Sequence, residues 1–180
     1  MRIRRRERGR PDPHRDSLVM PIAVPGIVLD LATESGAFVG RTPDRAGLDI
    51  GDGETSDVVR RVDGVYQVEE VERGRVQRRV LRTSEESALH RYLALSLAVR
   101  WRSANRLGVL TPVERPLPDG MRVELSGPRN ASLRWVEDGV ERRADDLVPH
   151  RADDLARTLL HPLEVVVSAV RDPSGAPVFT

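Results

Sequence analysis

Apolar and polar positions alternate irregularly over Asp57–Arg82 and then give way to a nearly continuous apolar run over Ala88–Val99. The first stretch divides at Asp63-Gly64 and Arg73-Gly74 into Asp57–Val62, Val65–Glu72 and Arg75–Arg82. Asp-Gly favours a two-residue hairpin, because both central residues of that turn take positive φ. At Arg73-Gly74 the glycine supplies the unusual backbone angle without steric cost. Valine content and the turns, more than strict period two, predict three antiparallel strands.

The second stretch predicts a helix over Glu85–Arg102. Thr83 and Glu86 have the spacing of a capping box, in which a hydroxyl and a carboxylate each satisfy a free backbone N–H. Ala88, Leu89, Tyr92, Leu93, Leu95, Leu97 and Val99 occupy most of the circumference, and only Ser96 is polar between Leu93 and Val99. Such a helix must be covered on several sides, by a sheet and by other elements. Ser96 in its interior is expected to bond its own backbone. Arg100 and Arg102 complement the C-terminal end of the helix dipole.

Weaker patterns surround this unit. Leu18–Val24 reads as a short edge strand, and Pro25 opens a helix over Gly26–Ser35 that Gly36 ends. Ala37–Gly40 reads as a strand and Arg41–Ser56 as a loop rich in Asp and Gly. Ser103–Gly120 is a proline-bearing connector. Met121–Leu125 and Ser132–Val136 form a second hairpin, and Asp138-Gly139 turns into Val140–Arg142. Arg151–Leu160 reads as a helix. Leu163, Val166, Val167 and Val170 have helical spacing, although their β-branched content also suits a strand. Asp172–Gly175 is a turn before a short tail. The fold expected is α+β: an antiparallel sheet packed against a long central helix, with additional C-terminal helices. Residues 1–20 form an arm and 21–180 one α+β domain.

Composition narrows the function. Aromatics are only 3% of the 180 residues, so aliphatic side chains must fill the core. There is no cysteine, hence no disulfide framework, thiolate metal site or cysteine nucleophile. A net charge of +1 gives no overall polarity toward nucleic acid or a membrane. No apolar run approaches the ~18 residues of a membrane span, and Leu18–Val24, broken by Pro21, is too short for a secretory signal. A cytoplasmic protein is expected. The arm carries Arg2, Arg4, Arg5, Arg6, Arg8, Arg10 and Arg15. It suits a solvated tail better than a nucleic-acid arm, since no aromatic is present to stack on bases.

No catalytic pattern emerges. His14, His90, His150 and His161 stand in no metal motif, with His90 placed to pair with Glu86 one turn away. There is no phosphate-binding glycine loop and no nucleophile elbow. The remaining feature is acidic: Asp49, Asp52, Glu54 and Asp57, interleaved with Gly51 and Gly53. Their spacing is not that of a calcium loop. They read either as a solvated turn or as a patch that docks a basic partner, and they are the candidate partner-binding residues.

Several short motifs then share an order: a short apolar helix ending in Gly36, Asp63-Gly64-Val65-Tyr66, Glu72-Arg73-Gly74, Arg91-Tyr92-Leu93 with a later Arg100, and Asp172-Pro173-Ser174-Gly175-Ala176-Pro177. This order resembles the bacterial immunity proteins of polymorphic toxin systems, in particular the family that includes the antidote of the tuberculosis necrotizing toxin, an NAD glycohydrolase. The resemblance runs from Pro25 to Phe179, with Leu31-Ala32 standing where the family pattern has Trp-Ala. It implies a cytoplasmic, non-enzymatic protein that binds a cognate toxin domain one-to-one and blocks its active site, without cofactor, metal, membrane or small-molecule substrate. It assigns no catalytic residue. A chaperone or adaptor for a secreted protein is the alternative, and a nucleic-acid binder acting through the arginine arm a more distant one.

Overall fold

The computed structural model describes residues 22–110 and 116–179. The arginine arm, and residues 18–21 of the expected first strand, lie outside these. Ile22–Val24 pair with no strand. The elements are α1 (Gly26–Glu34), β1 (Phe38–Arg41), β2 (Gly47–Gly51), β3 (Thr55–Val62), β4 (Val65–Glu72), β5 (Arg75–Thr83), α2 (Glu86–Ala104), β6 (Arg122–Gly127), β7 (Asn130–Glu137), β8 (Val140–Leu147), α3 (Pro149–Leu159) and α4 (Leu163–Arg171). The eight strands form one antiparallel sheet in the order β1-β2-β3-β4-β5-β8-β7-β6. The fold is the α+β arrangement that the pattern predicts.

The sheet is two meanders joined at one seam. β1–β5 run in sequence, β6–β8 form the second unit, and β5 meets β8 through Arg82–Asp145 and Thr83–Ala144. Three hairpins have Xaa-Gly turns with both residues at positive φ: Asp63-Gly64, Arg73-Gly74 and Asp138-Gly139. Arg73 thus shares the left-handed conformation with its glycine, as a type I′ turn requires. The imperfect alternation in β5 has a cause in its two register shifts. Leu81 faces Val68 and Arg79 faces Glu69, so Val80 is an extra residue, and Val80 and Leu81 are both buried.

The expected loop Arg41–Ser56 is instead largely strand. β2 crosses it, and β3 begins at Thr55. Glycine disguised the strand, because it lowers strand propensity. Here it is required by close backbone approach. A Cβ at Gly47 would lie 2.5 Å from the Val59 carbonyl, and one at Gly51 2.2 Å from that of Thr55. β8 likewise outruns the expected Val140–Arg142 and reaches Leu147. The Leu163–Val170 segment is helical.

α2 is the hub. It packs on α1, α3, α4 and β5, while α1 also reaches β1 and α3 reaches β6 and β7. Its buried residues include Ala88, Leu89, Tyr92, Leu93, Ala94, Leu95, Leu97 and Ala98, as an all-round apolar helix demands. The expected capping box does not form. Thr83 ends β5, its hydroxyl accepting the Glu85 N–H at 3.1 Å and donating to the Arg143 carbonyl at 2.8 Å. Two guanidiniums fasten α2 to its neighbours. Arg102, 4% exposed, donates to the carbonyls of Gly108, Val170, Asp172 and Pro173 at 2.7–3.1 Å. Arg91 donates to those of Ser87, Thr158 and His161.

Leu93 is 1% exposed at the centre of this arrangement. Leu93→Asp places an unpaired carboxylate there and is expected to cost about 4 kcal/mol or more. Leu125, 68% exposed on β6, is the control: Leu125→Asp should shift stability by no more than about 0.5 kcal/mol. Thermal melts followed by circular dichroism distinguish the two. An unchanged cooperative transition in Leu93→Asp would contradict this core.

Candidate docking cleft

Register places side chains in rows across the helix-facing side of the sheet. One row is apolar: Leu48, Val59, Val68 and Leu81 stand opposite one another on β2, β3, β4 and β5. The next row on the same face is Ile50, Asp57, Glu70 and Arg78. Three of its four members are charged where the pattern of a covered face calls for hydrocarbon. Above this row α2 presents Tyr92, Ser96 and Arg100, one per turn, and α3 brings His150 and Arg151. Together they enclose a polar cavity of about 260 Å³. An apolar groove of about 600 Å³ adjoins it, lined by Val99, Leu107, Val109, Leu110 and Phe179, with His150 and Arg151 common to both.

Within the polar row Glu70 accepts from Arg78 Nε at 2.8 Å. Asp57 has no such ion pair; Ser96 donates its hydroxyl to Asp57 Oδ2. Ser96 therefore bonds across to the sheet and not to its own backbone as expected. The Asp57 carboxyl group sits inside the sheet–helix interface. That burial pushes its pKa up, against the opposing pull of Ser96 and Arg100.

The four acidic candidates do not form one patch. Asp52 and Glu54 share the β2–β3 tip. Asp49 lies on the opposite face of the sheet, paired in register with Gly40 and Val58, and one of its carboxylate oxygens is buried without a hydrogen bond among the described residues. Asp57 points into the cleft. Asp52 also builds the tip: its Oδ1 accepts the N–H groups of Glu54 and Thr55 at 3.0 and 2.8 Å, and its Oδ2 pairs with Arg100. Arg100 reaches on to the carbonyl and hydroxyl of Thr55 at 2.9 and 2.6 Å. The Thr55 N–H first, then Arg100, hold the Asp52 pKa down to about 2. Glu54 is exposed, and its carbonyl accepts the Arg73 N–H at 2.7 Å. His90 lies 3.0 Å from the Ala23 carbonyl and 3.6 Å from Glu86, a contact that ties the N-terminal segment to α2.

No sequence signal marked Tyr92, Ser96, Arg78 or Arg151 as neighbours. Only strand register and helix phase bring them together. Among the described residues no cluster of His, Asp and Glu is arranged to hold a metal ion, and no helix is long and apolar enough to cross a membrane.

Asp52 and Asp57 should respond to pH in opposite directions. Asp52, depressed from 3.8 in the unfolded chain, contributes stability that is complete above that value and lost as pH falls toward 2. Asp52→Asn should lower stability by up to about 1 kcal/mol at neutral pH, since the ion pair is half exposed, with the deficit closing in acid. Asp57, with its folded pKa raised, favours the fold most when protonated and loses that advantage as pH rises from 3.8 through the folded value. Asp57→Asn keeps an acceptor for Ser96 and should melt at or above the parent at pH 7. The gain should shrink on acidification. Melting curves between pH 3 and 7 test both signs, and a large loss at pH 7 in Asp57→Asn would refute the second.

The immunity protein 61 family matches residues 31–178. The structure of Rv3902c from M. tuberculosis is similar to this one, with a TM-score of 0.74 at 19% sequence identity, covering 91% of this chain and 98% of that one. At that identity the likeness shows a common fold. No curated protein sequence matches the chain. The match over 31–178 spans the sheet and the helices that line the cleft, and the chain belongs to the immunity protein 61 family.

Proposed function

We propose that this chain is an antitoxin: in the cytoplasm it binds the toxic domain of a cognate secreted protein, one-to-one, and blocks that domain's active site. Family membership over residues 31–178 carries this reading. The resemblance of its motif order to the antidote of the tuberculosis necrotizing toxin points to an NAD glycohydrolase as the target. Inhibition of this kind needs a rigid scaffold and a complementary surface, and no chemistry of its own. A tight complex needs roughly 1,600 Å² of total buried surface. The cleft between sheet and α2, its apolar groove and the β2–β3 tip are the proposed docking surface. Glu54 at the tip supplies an exposed charge free to steer a basic region of the partner, and Asp52 and Asp57 lie behind it. Asp49, on the far face, lies outside this proposed surface.

Co-expression with the toxin domain encoded beside this chain tests the proposal. The expected result is an equimolar complex with no NAD hydrolysis, and no hydrolysis by this chain alone. Free toxin activity in the presence of excess chain would refute it. Within a complex, Glu54→Gln should slow association about twofold at low salt and leave dissociation unchanged. Stopped-flow binding across a salt series measures both rates.

A further inference from the structure

The polar cavity of the cleft is lined by three guanidiniums, Arg78, Arg100 and Arg151, against two carboxylates, Asp57 and Glu70. Each guanidinium already has a carboxylate near it, Arg78 facing Glu70, Arg100 paired with Asp52 at the rim, and Arg151 lying 4.0 Å from Asp154, so what distinguishes the cavity is its supply of donors. The donors on these side chains are only partly used. Arg78 gives its Nε to Glu70, and Arg151 gives one terminal nitrogen to the Leu95 carbonyl at 3.2 Å. The two terminal nitrogens of Arg78, and Nε and Nη2 of Arg151, make no hydrogen bond among the described residues. Tyr92 adds an independent observation. It is 7% exposed and lines the cavity, yet its hydroxyl has no hydrogen-bond partner among the described residues. A buried phenol normally finds a partner. The cavity thus offers several unused donors in a space of about 260 Å³, just under the roughly 300–1,000 Å³ usual for small-molecule pockets.

We propose that this cavity receives a carboxylate side chain, an Asp or Glu projecting from the bound toxin domain, which accepts from Tyr92, Arg78 and Arg151. This rests on the antitoxin reading and adds to it the chemistry of the contact. A cationic side chain would instead meet three guanidiniums in a confined space. Asp57 does not contradict an anionic guest, because burial raises its pKa against the opposing pull of Ser96 and Arg100, and the Ser96 hydroxyl already occupies its Oδ2. A guest carboxylate would exchange water for charge-assisted hydrogen bonds, the stronger kind. The neighbouring apolar groove gives the residues flanking that carboxylate a surface to cover.

Four proteins decide the matter: the parent, Tyr92→Phe, Arg151→Gln and Asp57→Asn, each measured for melting temperature and for affinity toward the toxin domain encoded beside this chain. Tyr92→Phe and Arg151→Gln should each weaken binding about tenfold. Tyr92→Phe should melt close to the parent, because its hydroxyl makes no internal bond to lose, whereas Arg151→Gln also gives up the Leu95 and Asp154 contacts and should melt somewhat lower. Asp57→Asn fixes this position as neutral and should bind as tightly as the parent or more tightly. Parental affinity in the first two variants would overturn the proposal. So would a loss of binding confined to Asp57→Asn, which would mean a cationic guest. If the parent itself fails to bind, the antitoxin reading falls, and a partner-free measurement still judges the cavity. Sodium propionate, the side chain of glutamate without its backbone, should raise the melting temperature of the parent above that in sodium chloride of equal ionic strength. It should do so less for Tyr92→Phe and Arg151→Gln. Equal shifts in all three would overturn the proposal on that ground as well.

Discussion

A nineteen-residue helix with nine buried residues spread around most of its circumference is the constraint that shapes this molecule. Such a helix gains nothing from exposure on any flank, so the chain must surround it. β5 lies beneath α2, and α1, α3 and α4 close the other sides. Surrounding a helix creates a second problem, because the ends of the covering helices leave carbonyls without partners. Arginine solves it twice. Arg102 collects four carbonyls from the connector after α2 and from the end of α4, and Arg91 collects those at the end of α3. Each guanidinium has a rigid fork of donors, which one lysine could not reproduce. The residues that carry the family resemblance are therefore mostly scaffold. Arg91 and Leu93 seat α2, Arg100 pins the β2–β3 tip, and the Asp172–Gly175 turn offers carbonyls to Arg102.

The same constraint makes the cleft stand out. On the covered face the Leu48–Val59–Val68–Leu81 row is hydrocarbon, and one step along the strands the row turns to Asp57, Glu70 and Arg78. Two like charges directly opposite on neighbouring strands oppose pairing. Arg78 offsets Glu70, while burial raises the Asp57 pKa against the opposing pull of Ser96 and Arg100. A chain selected for stability alone would continue the hydrocarbon row, since replacing buried polar groups with packed apolar ones is often neutral or stabilising. Departures of this kind from local consistency are where functional sites are found.

The sequence disclosed elements whose signals are local. Asp63-Gly64 and Asp138-Gly139 marked hairpins through backbone preference, and α2 declared itself by an apolar run broken only by Ser96 between Leu93 and Val99. β2 was hidden because Gly47 and Gly51 carry the opposite of a strand signal, and their reason, a neighbouring carbonyl within 2.5 Å of where a Cβ would stand, exists only after folding. The Thr83–Glu86 spacing suggested a cap, but Thr83 is held in β5 by Ala144 across the seam. The cleft was only half legible. Asp57 and Asp52 were visible as carboxylates near glycines. Their separation onto a cavity wall and a turn follows from strand parity. The meeting of Ser96 with Asp57, 39 residues apart, follows from helix phase against strand register. Neither is encoded in any short window.

The two faces of the sheet also differ in what they leave available to a partner. On the face away from the helices several charges are paired with one another. Arg60 pairs with Glu69 at 3.1 Å, Arg79 with Asp146 at 2.6 Å, and Arg134 with both Glu124 and Glu141 at 3.0 and 2.6 Å. A partner docking there would have to break pairs already made, or cover them and bear their desolvation. In the cleft the balance is reversed, because Tyr92, Arg78 and Arg151 hold donors that no group among the described residues uses, beside an apolar groove that no described element fills. Binding there adds hydrogen bonds and buries hydrocarbon without dismantling anything. For a protein whose net charge is only +1, specificity cannot come from a global field. It has to come from a local site of this kind, where a polar pit and an apolar wall lie side by side.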